Sequence, residues 1–120
     1  PSHVHMIIGV EEGSPSNVMR DLKGYSAKMI IREIEKSMYE SRKDWLLRFL
    51  ASYARSKSNK SKYQLWQHQN HPISLDTPTI YYEKAQYNSN NPIAAGIVDD
   101  AEHYNYFSHY PLHEVALAKI

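Results

Sequence analysis

A chain of 120 residues is one domain in size, and its net charge of +1 means that any surface for a polyanion has to be a local cluster. The absence of cysteine excludes a thiolate metal site, a disulfide framework and a cysteine nucleophile. No apolar run approaches membrane-spanning length and no basic-then-apolar leader stands at the start, so the expectation is a cytoplasmic chain.

Residues His3 to Val10 read as a strand by their β-branched content. In an extended strand, residues i and i+2 share a face, so His3 and His5 project side by side and Val4 points the other way. Two neutral imidazoles can hold one metal ion, with carboxylate, amide or water oxygens completing the shell. The alternative is a pair of surface histidines at a frayed end. A turn at Glu11-Glu12-Gly13-Ser14-Pro15 follows, and Ser16 or Asn17 can cap the next element.

From Val18 to about Met38, the residues Val18, Leu22, Tyr25, Met29, Ile30 and Ile34 recur at three- and four-residue steps, the pattern of an amphipathic helix. Arg20, Lys23, Lys28 and Arg32 lie largely off that stripe, either as a solvated face or as phosphate contacts. A second helix is expected from about Ser41 to Ala54, with Trp45, Leu46, Phe49, Leu50 and Tyr53 turned inward. The stretch Arg55 to Lys62 is polar and basic and reads as a loop, in which Lys57, Lys60 and Lys62 could steer a polyanion.

Tyr63-Gln64-Leu65-Trp66-Gln67-His68 looks like a second short strand. Thr77 can cap a third helix, with Pro78 in its first turn. That helix should run from Thr79 to about Asn90, because Pro92 disfavours helical angles at the residue before it. Ile93 to Val98 is an apolar turn containing Gly96, and the histidine- and tyrosine-rich tail suggests a strand near Tyr104 to Phe107 and a short terminal helix. Ten tyrosines against two phenylalanines suit wet surfaces and base stacking, and equally an ordinary small core.

On the third helix Tyr87 and Asn91 are four residues apart and share a face, with Glu83 and Lys84 one turn earlier. A phenol with a pKa of about 10 is a poor nucleophile unless a metal draws charge off the phosphate beside it. Asn91 could complete that metal's shell through its amide oxygen. Spacing alone does not separate Tyr87 from Tyr82 or Tyr104.

Four ordered motifs resemble one family. Pro1-Ser2-His3-Val4-His5-Met6-Ile7-Ile8 resembles the "MPxHVHLL" signature of the HUH single-tyrosine transposases. Tyr87-Asn88-Ser89-Asn90-Asn91-Pro92-Ile93-Ala94-Ala95-Gly96-Ile97-Val98 is similar to the "YIxxNPVxAGLV" signature of the branch associated with repetitive extragenic palindromes. Between them, Tyr63-Gln64-Leu65-Trp66-Gln67 and Asn70-His71-Pro72-Ile73 match that branch's "YQFWQ…NHPI" stretch, and Glu102 to Ser108 resembles its "edYxySS" tail. Asn88-Ser89 depart from the apolar-polar pair of the family.

The resemblance implies that His3, His5 and Asn91 bind a divalent ion, Mg²⁺ or Mn²⁺. It implies that Tyr87 attacks a DNA phosphodiester, leaving a 5′-phosphotyrosyl link and a free 3′-hydroxyl. The expected function is cleavage and strand transfer of single-stranded DNA carrying a hairpin or palindrome, that is, DNA transposition. Arg20, Lys23, Lys28, Lys57, Lys60 and Lys62 are the candidate DNA contacts. The implied fold is α+β, a ferredoxin-like sheet with packed helices. In the family a strand and a helix precede the His-x-His strand, so the resemblance also implies an N-terminally truncated catalytic domain spanning 1–120. Family members include monomers and dimers, so a homodimer is one expected arrangement. The alternative is a catalytically inactive remnant that only binds structured DNA. A metal hydrolase using His3, His5 and His68 or His71 is a further reading of the same residues.

Overall fold

The structure is a computed structural model and describes residues 3–57 and 60–108. It contains three α-helices, α1 (Pro15–Lys36), α2 (Lys43–Ser56) and α3 (Pro78–Ala94), and a short 3-10 helix at Ala101–His103. Among the described residues there is no strand, so the expected α+β ferredoxin-like sheet, with or without its first strand and helix, is not formed. None of the described helices is long and apolar enough to cross a membrane.

The three expected strands fail for one physical reason. A β-propensity measures how well side chains fit a pleated, half-buried surface, and that surface exists only where a second strand supplies it. His3 to Val10 is irregular, and among the described residues Val4 to Gly9 form no backbone–backbone hydrogen bond. Tyr63 to His68 is irregular and is held by side chains rather than by a ladder. Tyr104 to Phe107 closes into a turn, with the Phe107 N–H donating to the Tyr104 carbonyl at 3.0 Å. The expected terminal helix falls within 109–120, outside the described residues.

The chain divides into two compact units. One is Val10–His71 and holds α1, α2 and the returning segment after them. Its start is set by Gly13, whose φ of +88° few other residues adopt, and by Ser14, the cap of α1. The Ser16 N–H donates to Ser14 Oγ at 3.2 Å and Pro15 opens the first turn, so the cap lies two residues earlier than Ser16. Helix α1 ends at Ser37, whose Oγ accepts from the Tyr39 and Glu40 N–H groups and so turns the chain toward α2.

Helices α1 and α2 pack against one another. Leu50 and Ala54 are the buried apolar residues of α2, at 6% and 1% exposure. The Gln64 N–H donates to the Leu50 carbonyl, and the buried Gln64 amide donates to the Trp66 carbonyl. Trp45 and Phe49, expected inside, lie exposed and stacked on each other at 5.5 Å. They are i and i+4 neighbours on the outer face of α2, while Leu46, Leu50 and Tyr53 face inward as expected.

Helix α1 is covered along Met19, Lys23, Ser26, Ala27, Ile31 and Ile34. That face is adjacent to the expected stripe, of which Val18, Leu22, Tyr25, Met29 and Ile30 stay exposed. The covering segment is held by polar groups of α1, so the covered face is the one carrying Lys23 and Ser26.

The other unit is Pro1–Gly9 with Pro72–Ile120. Thr77 caps α3 as expected, its Oγ1 accepting from the Ile80 N–H at 3.3 Å, with Pro78 in the first turn. The helix does not stop at Asn90. Pro92 lies inside it and is buried, and Asn91 stays helical. Pro92 removes one donor in the last turn, where little ladder remains to be broken, and burial of its ring offsets that loss.

The true stop is Gly96, at φ +66°. The Ile97 N–H donates to the Pro92 carbonyl at 3.0 Å and the Gly96 N–H to the Ile93 carbonyl at 2.8 Å, the two bonds of a Schellman end. Helix α3 packs with the 3-10 helix, which Asp100 caps by accepting from the Glu102 N–H at 2.9 Å.

Candidate functional site

Helix α3 and the residues before Gly9 belong to one unit, and they bring the two ends of the expected constellation together. The His3 and His5 rings lie side by side, their centroids 6.5 Å apart and their planes 26° from parallel. The Tyr87 ring meets His5 edge-on, with centroids 5.6 Å apart and planes at 79°. Such an edge-to-face contact is the preferred geometry of aromatic pairs and is worth roughly 0.5–1.5 kcal/mol. His3, His5 and Tyr87 are all exposed, Tyr87 to 55%, so a ligand can approach the phenol directly.

Asn91 lies one helical turn beyond Tyr87 on α3 and is half-buried. Its backbone carbonyl accepts the Ala95 N–H that closes the helix, and its amide makes no hydrogen bond among the described residues. Glu83 and Lys84 lie one turn on the other side of Tyr87, Glu83 exposed and Lys84 half-buried.

A metal bound by nitrogen at about 2.0–2.1 Å lies roughly 3.2 Å from the imidazole centroid, so two ligating rings are at most about 6.4 Å apart, and only when they oppose each other in line. The His3 and His5 rings are 6.5 Å apart and stacked, at the outer edge of that limit, so sharing one ion requires both rings to turn their in-plane nitrogens toward it. Among the described residues no group of three or more His, Cys, Asp or Glu could hold a metal. An ion here would take two imidazoles, and its remaining ligands would be oxygens of an amide, of water or of a bound phosphate.

The basic candidates lie in the other unit. Arg20, Lys23, Lys28 and Lys62 line a groove between α1 and the segment 61–70, together with Arg32, Tyr63 and Trp66. Two of these cations are already engaged. Arg20 donates to Asp21 at 2.9 Å and to Asn17 at 3.1 Å, and the Asp21 hydrogen bond raises its pKa above the ordinary arginine value. The Lys23 ammonium donates to the Gln67 carbonyl at 2.5 Å and to Asn70 Oδ1, which makes it a staple for the 67–70 turn.

Lys62 lies 4.9 Å from the Tyr63 ring centroid, and its hydrogen bond to Tyr63 raises its pKa. Lys57 and Lys60 are not part of the groove. Lys57 follows the end of α2 with its ammonium 5.8 Å from the Tyr53 centroid, and Lys60 is exposed.

Sequence reasoning missed the wall that Tyr63, Trp66 and Asn70 form against α1, because 63–68 reads as a strand. The available signal was polar: Gln64, Gln67, Asn70 and the Trp66 indole all carry donors or acceptors that a buried or covering segment has to satisfy. In comparisons with known proteins, no family model, no curated protein and no solved structure matches the chain.

Proposed function

We propose that the protein cleaves and rejoins single-stranded DNA through Tyr87, the activity implied by its likeness to the single-tyrosine transposases. The observation that carries this reading is the Tyr87–His5 ring contact, which joins two motifs from distant parts of the sequence in one unit.

In this mechanism the strand is laid against α3 with a phosphodiester at the Tyr87 hydroxyl. The bond from Tyr87 Oη to phosphorus forms as the bond from phosphorus to the 3′-oxygen breaks, and the phenol proton ends on that departing oxygen. The products are a 5′-phosphotyrosyl link and a free 3′-hydroxyl. A second strand's 3′-hydroxyl reverses the step and joins the strands, with no nucleotide consumed, because the tyrosyl phosphodiester keeps the energy of the bond it replaced.

His5 holds the phenol edge-on, and Asn91 offers an amide oxygen one turn away. A divalent ion held by His3, His5 and Asn91 would draw negative charge off the phosphoryl oxygens. Lys84, one turn from Tyr87, adds a positive group on the same helix.

A second reading is binding of structured DNA without cleavage. It is favoured by the donor set, in which a neutral amide stands where a carboxylate or a third imidazole would hold a metal more tightly.

The test is a cleavage assay with end-labelled hairpin DNA and Mn²⁺, read as a protein–DNA adduct on a denaturing gel. The native protein should form the adduct, and Tyr87→Phe should form none while keeping its helical content. An adduct that persists in Tyr87→Phe, or none from native protein across a panel of hairpins, overturns the cleavage reading.

A further inference from the structure

The groove between α1 and segment 61–70 has a volume of about 680 Å³, and its charge is one-sided: five Lys and Arg side chains against a single acid, Glu35. A chain of net charge +1 thus concentrates positive potential at one place. The walls are fixed independently of any ligand. The Trp66 indole N–H donates to Ser26 Oγ at 2.9 Å, Lys23 clamps the 67–70 turn, and the Gln64 N–H is tied to the Leu50 carbonyl at 3.2 Å.

With Arg20 and Lys23 engaged on α1 and Lys62 beside Tyr63, Lys28 and Arg32 remain. Neither makes a hydrogen bond or ion pair among the described residues. They are i and i+4 on α1, about 6 Å apart along the axis, a spacing that suits neighbouring phosphates of one strand. Lys62 supplies a third positive group beside Tyr63, and Tyr63 and Trp66 put aromatic rings on the facing wall. Cations in register along one side and rings along the other are the arrangement by which proteins hold unpaired nucleic acid.

We propose that this groove holds a single-stranded oligonucleotide, with successive phosphates at Lys28 and Arg32, a third near Lys62, and a base against the Tyr63–Trp66 wall. The proposal rests on the reading of single-stranded DNA as the substrate, and it does not depend on whether Tyr87 cuts that strand. It also separates the basic residues by role: Lys28, Arg32 and Lys62 contact the strand, whereas Lys23 positions the wall.

The experiment is fluorescence anisotropy of a labelled oligothymidylate with the full chain, in EDTA, over a salt series. Lys28→Gln with Arg32→Gln should weaken binding at least about tenfold, and the salt slope should flatten by about 1.4, or 0.7 for each of two lost phosphate contacts. A charge-matched control outside the groove, Lys36→Gln with Arg48→Gln, should change affinity by less than about threefold, the effect of distant, screened charges.

Native affinity in the groove variant overturns the proposal, as does an equal loss in the control. Displacement of the oligonucleotide by polyglutamate as readily as by unlabelled DNA also overturns it, in favour of an acidic polypeptide. A second measurement does not depend on variants that fold: photo-crosslinking of native protein to a strand carrying iododeoxyuridine. The crosslink should fall on Tyr63 or Trp66, and one confined to peptides outside 16–70 contradicts the proposal. Absence of a Tyr87 adduct with groove binding intact removes the cleavage reading alone. An adduct with groove binding absent removes this one.

Discussion

The two units are held in different ways, and the difference bears on what each can do. Unit Val10–His71 is cross-braced by long-range polar anchors: Trp66 to Ser26, Lys23 to Gln67 and Asn70, and Gln64 to Leu50, around the buried Leu50 and Ala54. Its groove therefore exists before a ligand arrives. In the other unit the residues with chemistry to offer sit on the segment before Gly9 and one helix face, where His5 meets Tyr87 through a ring contact. Such a site is open to a strand. Binding suits the first arrangement, because a braced groove loses little binding energy to its own ordering, and an exposed phenol suits direct approach by a substrate.

The comparison breaks hardest at Tyr87. Tyr87→Phe should abolish adduct formation and leave oligonucleotide affinity in EDTA at the native value, since the removed hydroxyl is the proposed nucleophile and belongs to the other unit. The next largest effect should come from Leu50→Ala. It empties the small core of the braced unit and should cost about 2–4 kcal/mol in urea unfolding. It should also weaken groove binding, because relaxation around the cavity shifts the α2 backbone whose Leu50 carbonyl accepts the Gln64 N–H.

In the unit of α3, Gly96→Ala should cost about 1–2 kcal/mol. A Cβ there meets nothing within 4 Å, so the whole cost is the φ of +66°. Circular dichroism should then show fraying at the end of α3.

The smallest effect concerns the start of α2. The Arg42 backbone N–H donates to Glu40 Oε1 at 2.9 Å, and this bond holds the Glu40 carboxyl below its ordinary value. A depressed folded-state pKa contributes stability above the unfolded value, and that contribution is lost as pH falls through the folded one. Between about pH 6 and about pH 3 the native protein should lose slightly more stability than Glu40→Gln, and parallel urea midpoints would remove Glu40 from the account.

The parts of this fold legible in the sequence are those decided locally. Thr77 with Pro78 announced the start of α3, and the periodic apolar residues of α1 and α2 announced both helices, because caps and helical spacing act within a turn or two. The parts that were not legible depend on a partner. Strand propensity in His3 to Val10 and Tyr63 to His68 has no effect without a second strand to pair with, so both segments remain irregular. Which face of α1 is covered was decided by Lys23 and Ser26, polar residues that a hydrophobic pattern leaves out. Trp45 and Phe49 satisfy the helical period as well as Leu46 and Leu50 do, and only the location of the neighbouring helix separates them. For the site, the His-x-His pair and Tyr87 were named from motifs, and their proximity within one unit is new information from the structure. The groove wall was invisible, since it is built by the segment read as a strand.

The most direct test of the central claim is to locate the covalent bond. Native protein would be reacted with hairpin DNA and Mn²⁺, digested with protease and nuclease, and its peptides weighed by mass spectrometry. The account predicts a nucleotide remnant on the peptide carrying Tyr87, bonded through its phenolic oxygen, and on no other tyrosine peptide. A remnant on Tyr82 or Tyr104, or DNA cut with no peptide modified, would contradict it.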